Sequence, residues 1–202
     1  MIRLLVGLVI GLGVAGCSPP TASRSVALLD GEIIAVTPDG YCVDGEASTP
    51  TKGFAVLAPC ATLGEAELAP DIVGLVTVQV GPPQSGSVTG TEIALRDFLI
   101  TDAGASLLSR SGNAGDVSIL STQAFNSQVM VHFTDSGPPP LAGLQNEEWR
   151  AFTDINDRLV TIAVRGLAVA PLQDGPGAGL LKLILAGVQS ATQSIAEDTP
   201  DT

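Results

Sequence analysis

The chain has 202 residues, with 9 lysines and arginines against 21 aspartates and glutamates and a formal net charge of −12. That balance excludes a protein that grips nucleic acid through phosphate contacts, which needs a basic stripe, and equally a polybasic membrane-surface binder. The length fits one domain, and with aromatic residues at 3% the core has to be built from Val, Leu, Ile and Ala.

Met1-Ile2-Arg3 carries one positive charge ahead of residues 4–16, an apolar run of 13. A helix needs about 18 or more such residues to span a bilayer, so the run predicts a signal-peptide core. Val14-Ala15-Gly16-Cys17 resembles the lipobox of bacterial lipoproteins. The resemblance implies removal of residues 1–16, a diacylglyceryl thioether on Cys17 and acylation of the new amine with chains of the palmitate class. Several acyl chains at about 0.8 kcal/mol per buried methylene give stable anchoring. Ser18 after the cysteine implies export to the outer membrane, with the folded part facing the periplasm. An ordinary cleaved secretory signal or an uncleaved anchor is the alternative. The letters Gly11-Leu12-Gly13-Val14-Ala15-Gly16 match a dinucleotide fingerprint, but that motif works only between a strand and a helix. Here it lies in the signal.

With Cys17 taken by lipid, Cys42 and Cys60 remain. An even pair in an exported protein predicts a disulfide, worth about 3 kcal/mol through the closed loop. Two free thiols or a redox pair are the alternatives. Redox and metal pairs favour close spacing such as C-x-x-C, whereas 17 residues intervene here.

Residues 17–25 form the lipidated cysteine and a Ser/Thr/Pro tether, 26–196 a single domain and 197–202 an acidic, disordered tail. Within the domain, 26–29 and 32–36 flank Asp30-Gly31, a dipeptide for a tight hairpin turn. The Cys42 segment, 54–58 and 72–80 are bounded by turn residues and predict strands. From Thr91 the apolar residues Ile93, Leu95, Phe98 and Leu99 take helical intervals, continued by Ala103, Leu107 and Leu108 after a break near Thr101-Asp102. Residues 117–122 and 128–134 predict two strands around Phe125-Asn126-Ser127. Residues 149–154 and 158–164 form a further hairpin across Ile155-Asn156-Asp157, with Val160, Ile162 and Val164 on one face. After a loop over 171–179, Leu181, Ile184, Val188, Ala191 and Ile195 define a terminal amphipathic helix.

Hairpins, a mid-chain helical stretch and a terminal helix predict an α+β fold, an antiparallel sheet covered by helices. A strand running into Thr37-Pro38-Asp39-Gly40-Tyr41, and the late strand 158–164 followed by a loop and the final helix, resemble the Mog1/PsbP-like α/β/α sandwich. Gly40-Tyr41-Cys42-Val43-Asp44, Cys60 and Trp149-Arg150-Ala151-Phe152 resemble uncharacterised proteobacterial lipoproteins. A likeness of fold implies no activity.

No catalytic, metal or cofactor constellation emerges, so the expected site residues are Cys17 for lipid and Cys42 and Cys60 for the disulfide. His132 is the single histidine. It shares a strand face with Met130 and Thr134 if Val129, Val131 and Phe133 face a core. No G-x-S-x-G elbow or H-E-x-x-H is present to make it a hydrolase centre. Glu147 and Glu148 beside Trp149 suggest a glycosidase pair, yet adjacent residues of a strand point to opposite faces. Asp39, Asp44 and Glu46 lack a calcium-loop pattern and predict acidic turns. Arg150, Arg158 and Arg165, with Arg96 and Arg110, either bind an anionic group together or pair with nearby acids.

The functional expectation is a lipid-anchored envelope protein that binds or scaffolds an envelope partner, without enzymatic activity and without nucleic acid. The alternatives are an envelope hydrolase using dispersed carboxylates and a carrier of a small apolar ligand.

Overall fold

A computed structural model describes residues 22–65 and 69–198, with side chains through Ser194. The signal, Cys17 and the tether up to residue 21 lie outside the described residues, as do residues 199–202 of the expected tail. Among the described residues there are nine strands: β1 Ser25–Leu28, β2 Ile33–Val36, β3 Tyr41–Thr49, β4 Phe54–Pro59, β5 Leu75–Val80, β6 Val117–Phe125, β7 Gln128–Asp135, β8 Glu147–Ile155 and β9 Arg158–Arg165. The helices are α1 Glu92–Leu99, α2 Asp102–Leu108 and α3 Asp174–Asp198. β3 to β9 form one antiparallel sheet in the order β3-β4-β5-β9-β8-β7-β6, and β1 and β2 pair separately.

The expected α+β fold, an antiparallel sheet covered by helices, is what the chain adopts. Because side chains alternate along a strand, β7, β8 and β9 feed two cores, one on each side of the sheet. Val76, Val78, Val160, Ile162 and Val164 pack with Leu181, Ile184 and Val188 of α3 and with Leu28 and Ile33 of the β1–β2 hairpin. Val129, Val131 and Phe133 of β7 pack with Leu99 and Leu108 of α1 and α2 on the opposite side. Burial of aliphatic side chains at about 1.5–3 kcal/mol each is the main stabilising contribution to both layers.

Boundaries depart from expectation where local chemistry overrides periodicity. The expected strand over 72–80 begins only at Leu75. The buried Tyr41 hydroxyl donates to the Ile72 carbonyl at 2.8 Å and accepts from the Gly74 N–H at 3.0 Å, so these groups are bonded to a phenol and not to a neighbouring strand. Burial also pushes the Tyr41 hydroxyl pKa up to about 12. The turns at Asn126-Ser127 and Asn156-Asp157 are shorter than the three residues expected, because both residues of each take positive φ, 48° and 58°, then 50° and 59°. This two-residue geometry matches strand twist, so Phe125 and Ile155 stay paired. The turn at Asp30-Gly31 is longer than expected, a 3-10 segment Leu29–Gly31 with all three residues at positive φ.

The mid-chain helix breaks where expected. Thr101 starts α2 as a cap, its hydroxyl accepting from the Gly104 N–H at 3.2 Å. α3 begins at Asp174, ahead of the expected start, and runs to Asp198, into the stretch expected to be a tail. Pro176 is tolerated because the first turn needs no donor from it. Gly177 is required: a Cβ there would lie 2.5 Å from the Trp149 ring. The helix start is thereby pressed onto the sheet over Trp149.

The Cys42–Cys60 disulfide forms as expected and closes the β3–β4 hairpin near its open end.

Candidate functional site

Among the described residues, concave sites lie on both faces of the sheet, and Glu147 and Glu148 point to different faces. Successive residues of β8 point to opposite sides, so the adjacent glutamates do not share a site, as the alternation predicts.

On the α3 face, His132 pairs in register with Ser121 of β6 and Trp149 of β8. Its ring is 8% exposed and stacks on Trp149, with centroids 4.4 Å apart and planes 13° from parallel. Nε2 meets Glu147 Oε1 at 2.6 Å. Asp174, in the first turn of α3, completes the group: one ligating atom from each of His132, Glu147 and Asp174 lies within 4.8 Å of the other two. A cavity of about 270 Å³ is lined by His132 and Asp174 of this group together with Ser121, Gln123, Met130 and Lys182. Asp174 was not among the candidate residues of the sequence, being 42 positions from His132. A signal existed nonetheless in Asp174-Gly175-Pro176-Gly177, an acid at a helix start followed by a small residue that permits close packing.

On the opposite face α1 and α2 cover β6 and β7, leaving a cleft of about 290 Å³ over β5, β9 and β8. Glu148 lies at its base with its side chain 2% exposed. The two oxygens are divided between two arginines: Arg150 Nε and Nη2 both lie 2.6 Å from Oε1, while Arg165 Nε and Nη2 lie 2.6 and 2.5 Å from Oε2. Arg165 also donates to the Gln145 carbonyl at 3.1 Å. Arg150 sits over the Phe133 ring at 5.2 Å. Arg110 lines the same cleft from the segment after α2, its backbone N–H bonded to Asp135 and its side chain exposed. Two guanidinium groups on one carboxylate and a third, that of Arg110, in the lining leave this cleft positive. Phe54, Leu75, Pro140, Leu144 and Ala163 give it an apolar floor and wall.

The other candidates resolve as local structure. Arg158 Nε lies 2.5 Å from Glu32 Oε2 and ties the β1–β2 hairpin to β9. Arg96 pairs with Asp97 at 2.6 Å. Asp44 Oδ1 accepts the N–H groups of Glu46 and Ala47, the pattern of an acidic turn, and Asp39 meets Arg24 at 3.3 Å in solvent. Asp154 has a structural part that the sequence did not suggest: its carboxylate accepts from the N–H groups of Ser87, Val88 and Thr89 and holds the loop that leads into α1.

No protein-family model matches the sequence, and no curated protein matches it. Among solved structures the fold is similar to the Ran-binding protein Mog1p of Saccharomyces cerevisiae, with a TM-score of 0.44 at 14% identity over 89% of this chain and 93% of that one. It is also similar to cyanobacterial PsbP (CyanoP) from Synechocystis sp., with a TM-score of 0.41 at 13% identity over 87% of this chain and 96% of that one. These are weak likenesses of fold, to proteins of the kind that the sequence resembles. No property of either protein transfers at these values.

Proposed function

We propose that the chain is a lipid-anchored protein of the cell envelope, cut before Cys17 and acylated on it, whose folded domain works by binding. Its seat is the arginine-lined cleft, and its ligand is a small carboxylate or phosphate carrying an apolar body. The observation that carries the reading is the charge of that cleft: two arginines pair with one buried glutamate and a third, Arg110, lines the same cleft over an apolar floor, in a chain whose net charge is −12. A guanidinium presents a planar fork of donors that suits anionic oxygens. Arg110, at the rim, is free to swing onto a ligand without disturbing the Glu148 pairs.

The lipobox and the 13-residue apolar run support the anchor, and the Cys42–Cys60 disulfide is in keeping with an oxidising compartment. Among the described residues no helix is long and apolar enough to cross a membrane. Glu147 and Glu148 lie on opposite sides of the sheet and do not flank one bond, so this pair lends no support to a hydrolase using dispersed carboxylates.

The intact mass of protein extracted from membranes tests the anchor. Loss of residues 1–16 with acyl additions on Cys17 is expected, and an unacylated chain overturns it. Thermal melting with decanoate tests the cleft. A saturable rise in midpoint for the native protein, abolished in Arg110→Ala, is expected, and no rise in the native protein refutes the cleft assignment.

A further inference from the structure

The geometry points to a binding site for one divalent transition ion of the Zn²⁺ class at His132, Glu147 and Asp174, on the face away from the arginine cleft. This inference is independent of the anionic-ligand reading.

Three side chains from three elements converge there: His132 from β7, Glu147 from β8 and Asp174 from the start of α3. One carboxylate is enough to partner one imidazole. The second brings a like charge within 4.8 Å of the first, a repulsion that an ion between them would remove. An acid in the first turn also complements the helix dipole. That role needs no convergence on a histidine, whereas Gly177 packing on Trp149 presses this turn down toward His132.

The donor set selects the ion. An imidazole nitrogen with two carboxylate oxygens suits a borderline ion such as Zn²⁺, while Mg²⁺ and Ca²⁺ prefer all-oxygen sets. Three protein ligands leave a fourth position that opens into the adjoining cavity of about 270 Å³. Nε2 and Oε1 now meet at 2.6 Å as a hydrogen bond. Two ligands of a tetrahedral zinc at 2.0–2.2 Å stand about 3.3 Å apart, so loading spreads the pair slightly. The proton between them leaves for solvent or for Nδ1, and the metal takes its place. Binding therefore weakens in acid. Lys182 lines the same cavity, and its charge limits the affinity without occupying a ligand position.

The chain contains one tryptophan and one histidine, and they are stacked on each other. Trp149 fluorescence therefore reports directly on His132. The purified protein is titrated with ZnCl₂ and, separately, with CaCl₂. A saturable change in Trp149 emission at one equivalent of Zn²⁺ is expected, at least tenfold weaker in Asp174→Asn and in Glu147→Gln. Both variants should keep the native circular dichroism and a cooperative melting transition within about 4 °C of the native midpoint. Calcium should produce no change at the same concentration. An unsaturable response, a response equal in the native protein and both variants, or a calcium affinity as strong as that for zinc would each overturn the assignment. His132→Gln is a third variant, and the two carboxylate variants decide the matter should it fail to fold.

Discussion

The two faces of the sheet are made by the same strands and differ in almost everything else. Val160, Ile162 and Val164 of β9 are sealed beneath α3, while Ala163 and Arg165 look into a cleft that α1 and α2 leave uncovered. In β8 the contrast falls between neighbours. Glu147 has 29% of its side chain exposed and meets His132, and Glu148 has 2% exposed and meets two arginines. One step along a strand decides whether a carboxylate is buried structure or an accessible ligand. The cost of burying charge explains why the interior one has two cationic partners and the outer one has a single half-shielded contact.

The largest expected effect is at the interior position. Glu148→Gln leaves Arg165, 5% exposed, without a counter-charge. Removing one partner of a buried pair costs about 3–5 kcal/mol. Urea unfolding should show a lower midpoint at an unchanged slope, the shift multiplied by the slope giving that loss. A loss below about 1 kcal/mol, the range of exposed pairs, would mean that this face is far wetter than the geometry states.

The α3 face contains its own buried polar group, and it responds to base. Tyr41 has its hydroxyl pKa raised from 10.0 to about 12 by burial. A raised folded-state value means stability that is fully present below about pH 10 and lost as pH climbs towards 12. The loss is on the order of 2–3 kcal/mol at about 1.4 kcal/mol per pH unit. Denaturant unfolding between pH 9 and 12 checks it against Tyr41→Phe, in which this slope should vanish. That variant should also be less stable at neutral pH by about 1–3 kcal/mol, because the Gly74 N–H loses its acceptor. The arginine face has no tyrosine, so the alkaline transition separates the two layers.

Gly177→Ala breaks the contact that seats α3. The added methyl would meet the Trp149 ring at 2.5 Å, and overpacking of this kind costs about 1–3 kcal/mol. The start of the helix must lift, taking Asp174 away from His132, while the arginine cleft behind the sheet is untouched. Differential scanning calorimetry should show the loss, and Trp149 emission should shift red as water reaches the ring. An unchanged emission spectrum would mean that the glycine does not set the position of Asp174.

The strands, both hairpin turns with asparagine and the disulfide follow from alternation, turn residues and an even pair of cysteines, all of which act over short range. Opposite placement of Glu147 and Glu148 follows from the same alternation. The sites do not follow. Arg165 and Glu148 are brought together by β8–β9 register, and Arg110 joins the lining of their cleft from a segment after α2 that no periodicity aims at the sheet. His132 and Asp174 meet only because a glycine lets a helix approach a tryptophan, and both the glycine and the proline beside it suggest a loop when read locally. The late start of β5 is similar. A phenol distant in sequence bonds two backbone groups that strand propensity alone assigns to the ladder.

The smallest expected effect is the sharpest test of the comparison. Glu147→Gln changes the neighbour of Glu148 by the same chemistry, carboxylate to amide, in the same strand. Its partner His132 retains an acceptor, since the Gln amide oxygen takes an N–H as a carboxylate does, and the site is open to water on the cavity side. The loss should therefore stay within about 0.2–1 kcal/mol, the range of partly exposed pairs, several-fold below that of Glu148→Gln. Measuring both variants in one urea series removes the identity of the substitution as a variable and leaves burial as the cause. Equal losses would mean that β8 does not divide the two glutamates between an open face and a closed one. A small loss at Glu147 beside a large one at Glu148 would show that Glu147 is free to act as a ligand because the fold does not depend on it.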